Sequence, residues 1–284
     1  MTTPAPPLNP PMRHPGPVNP RRIHAVAVQA CDLDIPLIPG QQVEEAICAA
    51  VAAAGLDGAW VDMAGLDAAP FAFVMPDRSP DGTRVAWYSQ TYRPAGTTRV
   101  EMGGMSVGHH QGGPFTHCHG IWTSAGDTTL GHMLARDCTV AQPVTLKATG
   151  YNGGRLDRLG DDETCFDLFR ACPASLPADA ANAVLLTLRP NTDLCTAIEQ
   201  TAREHGITNG HIHGLGSLNG ARFADAPPMH SAITEFVISA GVLVDGQAQI
   251  TLSAVDIAKD IYSGTVRRGD APISITAELL LRRL

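Results

Sequence analysis

The stretch PGQQVEEAICAAVAAAGL at residues 39–56 returns, altered but in step, as PNTDLCTAIEQTAREHGI at residues 190–207. The offset, 190 − 39 = 151, holds without a gap through Ala46/Ala197, Ile47/Ile198, Gly55/Gly206 and Gly65/Gly216. A fixed period of this kind marks a repeated structural unit. In each copy an apolar strand (IPLI, VLLTL) precedes the proline. Apolar residues then recur at Val43, Ile47 and Val51, or at Leu194, Ile198 and Ala202, the spacing of one helix face. Gly55 and Gly206 stand where a helix C-terminal glycine belongs. A second strand follows in each copy, AWVDMAG or HIHGLG.

Outward from the helices the correspondence continues. RVEMGGMSV around Glu101 answers to TEFVISAGVLV around Glu235, and TLGHMLARDCTV around His132 resembles YSGTVRRGDAPI around Thr265. Both copies close on alternating apolar runs, VTLKA and SITAELLL, suited to sheet strands. The offset falls to 134 at the two glutamates, so the first copy carries a longer segment at 75–98, rich in turn residues and holding Arg84, Tyr88, Tyr92 and Arg93. A loop of that length is either functional or a solvated excursion. The fold class expected is α+β: two tandem domains, each a mostly antiparallel sheet packed with one principal helix. The expected boundaries are a flexible proline-rich tail at 1–22, a first domain at 23–150, a linker with a short helix at 151–181, and a second domain at 182–284.

Composition narrows the function. The chain of 284 residues is 44% hydrophobic and 17% charged, with a formal net charge of −8. Its basic clusters are short (Arg21–Arg22, Arg267–Arg268, Arg282–Arg283), which argues against a phosphate-tracking surface and so against nucleic acid. No apolar run reaches membrane-spanning length, and the first twenty residues, with eight prolines, lack the apolar core of a signal peptide. Seven cysteines (31, 48, 118, 138, 165, 172 and 195) form no CxxC pair, so reduced thiols and a cytoplasmic location are expected.

The chemistry concentrates in GHHQGGPFTHCHG. His117 and His119 are an i, i+2 pair in a segment of strand character, so both rings leave one face, about 6.6 Å apart along the strand. Cys118 points to the opposite face and reads as a small buried hydrophobe. After the turn SAGDTT, a returning strand brings His132 beside the pair. Three neutral imidazoles suit zinc, with iron, nickel or cobalt as substitutes, and three protein ligands leave a coordination position open. The second copy carries Gln247, Gln249 and Thr265 at the matching places, poor ligands, so one metal per chain is expected.

Around the trio, Glu101 is a candidate general base or a structural carboxylate shared with Glu235. His110, with His109, is a candidate for substrate contact or an exposed loop residue. Arg136 is a candidate carboxylate receiver or a surface arginine. His211 and His213 are either structural strand residues or contributors to a site shared with another domain.

These residues resemble the PPC domain family (plants and prokaryotes conserved, also PCC or DUF296). The second copy carries the likeness through LRPNTDLCTAIEQTAREHGI, GLGSLNGARF, TEFVISAGVL and TAELLL. The first carries it through IPGQQVEEAI, VEMGGMSV and HCHG…GHMLARDC. The family's characteristic segment, an HxH pair, twelve residues and a histidine in a GH(L/M)L run, fits His117, His119 and His132. The resemblance implies a compact α/β domain, a trimer with the histidines near a subunit interface, and zinc on those histidines. It also implies a DNA-associated role in plant members, which carry AT-hooks. No Arg-Gly-Arg-Pro core exists here; the nearest string is GGRL at 153–156. The function expected is therefore a metal-dependent, zinc-type hydrolase or lyase/isomerase acting on a small anionic metabolite. The alternatives are a PPC-type DNA-associated or regulatory protein with a structural metal, or a non-catalytic small-molecule sensor.

Overall fold

The computed structural model describes residues 6–174 and 180–284. In chain order the elements are β1 (Ile23–Leu37), α1 (Val43–Ala53), β2 (Gly58–Asp62) and four two-residue strands, β3 (Asp67–Ala68), β4 (Phe73–Val74), β5 (Pro76–Asp77) and β6 (Trp87–Tyr88). Then come β7 (Thr98–His110), β8 (Gly113–Ser124), β9 (Asp127–Met133), β10 (Val144–Asn152), β11 (Gly154–Asp161) and β12 (Phe166–Pro173). The remainder is β13 (Ala183–Leu188), α2 (Leu194–Glu204), β14 (Gly210–Leu218), β15 (Thr234–Val244), β16 (Gln247–Asp256), β17 (Ile261–Thr265) and β18 (Ile273–Arg283). The fold is α+β, a mostly antiparallel sheet carrying two helices.

The two helices stand 151 residues apart at both ends, 43 to 194 and 53 to 204. Each is started by a side chain that accepts from the third backbone N–H beyond it: Gln42 from Glu45, and Asp193 from Thr196. Each ends at a glycine with positive φ, Gly55 at 69° and Gly206 at 64°. Val43, Ile47 and Val51 are buried under one part of the sheet, Leu194, Ile198 and Ala202 under another.

The main sheet runs β17-β16-β15-β14-β18-β13-β1-β10-β2-β7-β8-β9-β4. Strand β1 is its seam: Ile23–Val28 pairs with β13, and Gln29–Leu37 pairs with β10. Two apolar cores therefore grow on the two halves of one continuous sheet, to either side of that seam. A third cluster, built around Val28, Trp60, Tyr151, Leu215, Val237 and Leu280, packs the two sides against each other. All seven cysteines are free thiols, and among the described residues no helix is long and apolar enough to cross a membrane.

Two expectations fail here. The segment read as a linker with a short helix forms the hairpin β11–β12, with registers from Gly154↔Pro173 to Asp161↔Phe166. Alternation wins over helical propensity because Leu156, Phe169 and Ala171 bury their side chains in the third cluster. Asp161 Oδ1 closes the turn by accepting from Thr164 N at 2.9 Å. Residues 175–179 of that linker, and residues 1–5 of the tail, lie outside the described residues.

The proline-rich segment is the second correction. From Pro6 to Arg22 it lies along the second half of the chain, held by polar contacts. Asn9 Nδ2 donates to His230 O (2.9 Å), Asn191 Oδ1 accepts from Met12 N (2.6 Å), and Glu163 accepts from Asn19 N (3.1 Å) and from Arg22 Nη1 (2.7 Å). Proline supplies an extended backbone with little entropy to lose, which suits a strap. Arg22→Ala removes a charged partner from Glu163, whose side chain is only 2% exposed. It should destabilise the protein by about 1–3 kcal/mol in urea unfolding. No change in midpoint would show the strap to be idle.

His24 on β1 is half-buried with Nε2 unpartnered. Burial, then the charges of Arg21, Arg170 and Arg189, push its pKa from 6.5 down to about 4. The unfolded chain takes that proton first, so the resulting stability is intact above pH 6.5 and is lost as pH falls towards 4. An NMR titration should place the His24 midpoint near 4, and His24→Gln should flatten the acid slope of stability in that window. A midpoint at the ordinary histidine value would contradict this.

Candidate metal centre

Strand β8 presents His117 and His119 to one face, and the β8–β9 hairpin sets His132 directly opposite His119. One ligand atom from each ring lies within 4.8 Å of the others, so the trio could hold a metal ion. Gly131 lets β4 lie against β9 beside His132: a Cβ there would stand 2.6 Å from the carbonyl oxygen of Val74. Cys118, on the other face, is buried beside Met133, as alternation requires.

The rings are aimed by groups from the second half of the chain. His117 Nδ1 lies 2.9 Å from both carboxylate oxygens of Glu278 on β18, so it donates there. His119 Nδ1 lies 2.9 Å from the carbonyl oxygen of Phe236 on β15, an acceptor only. With both Nδ1 atoms protonated, the Nε2 lone pairs of His117 and His119 face each other at 3.1 Å. Two such lone pairs repel unless a cation lies between them. Nitrogens sharing one tetrahedral zinc at its usual bond length stand about 3.3–3.4 Å apart. The donor set therefore fits a divalent transition ion. His132 Nδ1 is buried without a hydrogen-bond partner, which also favours a ligand in the cluster.

Burial, followed by the neighbouring His117, holds His119 and His132 well below the ordinary histidine pKa. Both are thus neutral, the form that coordinates metal. Glu235 on β15 is buried, with Oε1 3.9 Å from His119 Nε2 and Oε2 unpartnered. Burial pushes its pKa up to about 8. A carboxyl group that takes and releases a proton near neutrality beside a candidate metal is suited to acid–base work.

The trio forms the floor of a cavity of about 470 Å³. Its walls come from both halves of the chain, from β6 and from the β11–β12 hairpin. The Tyr88 ring meets His132 edge-on at 5.2 Å, and Trp87 stacks on Phe166 at 5.7 Å. The longer segment at 75–98 therefore reaches the site.

The other sequence candidates lie elsewhere. Glu101 is exposed and falls at a β-bulge, the extra residue between Val100 and Met102. In β15 the bulge comes at Ser239, so Glu101 answers structurally to Ser239 and not to Glu235. His110 ends β7, with Nδ1 3.3 Å from Arg158 O, and lines a neighbouring depression that shares Phe115 and Arg158 with the cavity but none of the three histidines. Arg136 borders that same depression, where Nε and Nη2 donate to Glu44 Oε1 at 2.9 and 2.7 Å. The carboxylate it was expected to receive from a substrate is supplied by its own chain. His211 is exposed, and His213 stacks on Trp60 at 5.9 Å, away from the cavity. Among the described residues the second half holds no comparable metal cluster.

Sequence reasoning missed Glu278 altogether. The signal was present, a lone carboxylate in the apolar run TAELLL, costly to bury unless partnered.

No family model matches the chain, and no curated protein matches it. Among solved structures it is similar to a metal-containing protein from Archaeoglobus fulgidus, with 13% identity and a TM-score of 0.42 over 50% of this chain and 95% of that one. It is similar to a plant- and prokaryote-conserved (PPC) protein from Pyrococcus horikoshii, with 13% identity and a TM-score of 0.40 over 54% and 96%. A Ralstonia eutropha protein whose name supposes DNA binding matches with 18% identity and a TM-score of 0.36 over 51% and 90%. Each likeness spans about half of this chain and nearly all of the other.

Proposed function

We propose that the protein is a metal-dependent enzyme, zinc being the ion best suited to its donors, that acts on a small molecule bound in the cavity over His117, His119 and His132. The observation that carries this reading is the meeting of three imidazoles at the floor of that cavity, with ligand atoms within 4.8 Å. Three protein ligands leave room for an outside one. A bound ion supplies Lewis acidity there, which suits hydrolysis or a lyase/isomerase step. Glu278 fixes the His117 tautomer, the Phe236 carbonyl fixes that of His119, and Glu235 holds or releases a proton within reach of the substrate. Glu235 thus takes the role first offered to Glu101.

We also read the chain as two PPC-like units in tandem. Matching helix ends, caps and glycines support this, as does the approach of the second unit's β15 and β18 to the first unit's histidines. In this reading one chain supplies internally the cross-unit contact that the family makes near a subunit interface.

Purified protein should hold about one divalent transition ion per chain by elemental analysis. Replacing all three histidines by alanine should remove it. Glu278→Gln should weaken metal affinity by about 10–100-fold while the fold, followed by circular dichroism, persists. Stoichiometric metal retained by the triple variant would overturn the assignment.

A second reading, a DNA-associated protein with a structural metal, takes its support from the name of the Ralstonia neighbour. The net charge of −8 opposes it. A gel shift with genomic DNA at low salt should show no complex; a salt-sensitive complex would favour this reading over the enzyme.

A further inference from the structure

Two cationic side chains on the cavity wall have no part in holding the histidines. Arg84 precedes β6, and its guanidinium carbon lies 4.8 Å from the ring centre of Trp87 and 5.5 Å from that of Phe166. Its Nε donates to Cys165 O at 2.8 Å, and it pairs with no carboxylate among the described residues. Arg158 on β11 lies 4.7 Å over Phe115, and its nearest carboxylate, on the half-exposed Asp167 side chain, is 3.9 Å away. Both arginines line the histidine cavity. Arg158 Nε also donates to Asp167 O at 3.5 Å, so in both arginines the Nε is turned to a backbone carbonyl. A guanidinium held over an aromatic ring can still present its terminal N–H groups to a carboxylate. The rings that carry them extend the apolar wall: Trp87 stacks on Phe166 with 27° between planes, and Phe115 meets Phe169 edge-on at 5.6 Å. Of the acidic groups lining the cavity, Glu278 is engaged with His117, Glu235 lies 3.9 Å from His119 Nε2 and Asp167 lies 3.9 Å from Arg158.

We propose that Arg84 and Arg158, held on aromatic rings in the cavity wall, bind the carboxylate of a flat, ring-bearing substrate whose other polar end reaches the histidine trio. The assignment rests on the reading of that cavity as a substrate site and adds the chemical class of the substrate. Both arginines come from segments outside the helix-bearing repeat, the stretch at 75–98 and the β11–β12 hairpin, so the specificity belongs to what this chain adds to the repeat.

The test uses the full chain with and without added zinc, and salicylate, benzamide and phenyl phosphate as probes, with binding read by tryptophan fluorescence and calorimetry. Salicylate should bind at least about ten-fold more tightly than benzamide. Arg84→Gln and Arg158→Gln should each weaken salicylate by about 10–100-fold, with metal content unchanged. Arg84→Lys should recover only part of the loss, because an ammonium lacks the planar edge, and this variant guards against a merely unfolded glutamine variant. Equal binding of salicylate and benzamide, indifference to both arginine substitutions, or a clear preference for phenyl phosphate would each overturn the proposal. Failure of the metal reading is seen separately as absence of bound ion. Arginine-dependent salicylate binding in zinc-free protein would then still uphold the carboxylate site.

Discussion

Glu278 on β18 accepts a hydrogen bond at 2.9 Å from His117 on β8, although the two strands lie six places apart in the sheet order. In a flat sheet that separation would be about 29 Å at the usual strand spacing. The sheet must therefore curl until its two wings meet, and the candidate site exists only where they do. Strand β1 makes the curl possible by pairing with β13 along its first part and with β10 along its second. The third apolar cluster, with Trp60 and Tyr151 from one side and Leu215 and Leu280 from the other, stabilises the closed arrangement.

Closure also sets the electrostatics. His119 and His132 are held neutral first by burial, and the opposing wing sets Phe236 and Glu235 against His119. The same dry environment raises the pKa of Glu235 and leaves one of its oxygens unpartnered. Neutral His119 and His132, a carboxyl group on Glu235 raised towards the protonated form and a Glu278 carboxylate hydrogen-bonded to His117 form a set that a divalent cation would complete. Opened to water, His119 and His132 would regain their ordinary proton affinity and the preference for a cation would weaken.

Much of this was legible in the residues, because the signals were local. The helices were readable from apolar spacing and terminal glycines, and they fall at matched positions. The inward face of the HxH pair, the outward Cys118 and the hairpin return to His132 all follow from strand alternation and a short turn. Glu101 misled because a bulge is set by how two strands fit, and a one-residue insertion turns a side chain from one face to the other. Arg136 misled because its partner, Glu44, lies 92 residues away. The β11–β12 segment misled because its alternation earns stability only against a surface made by other strands.

The sequence by itself determined the repeated strand–helix–strand pattern, the identity of the three clustered histidines and the absence of that set from the matching places in the second half. These depend on periodicities of two and 3.6 and on capping chemistry, which act over a few residues. Only the tertiary structure decided that Glu278, Glu235 and the Phe236 carbonyl face the histidines, and that Arg84 and Arg158 share their cavity. Those contacts join residues more than a hundred positions apart or on separate hairpins. Their geometry is set by the curl of the whole sheet, which no short stretch of chain encodes.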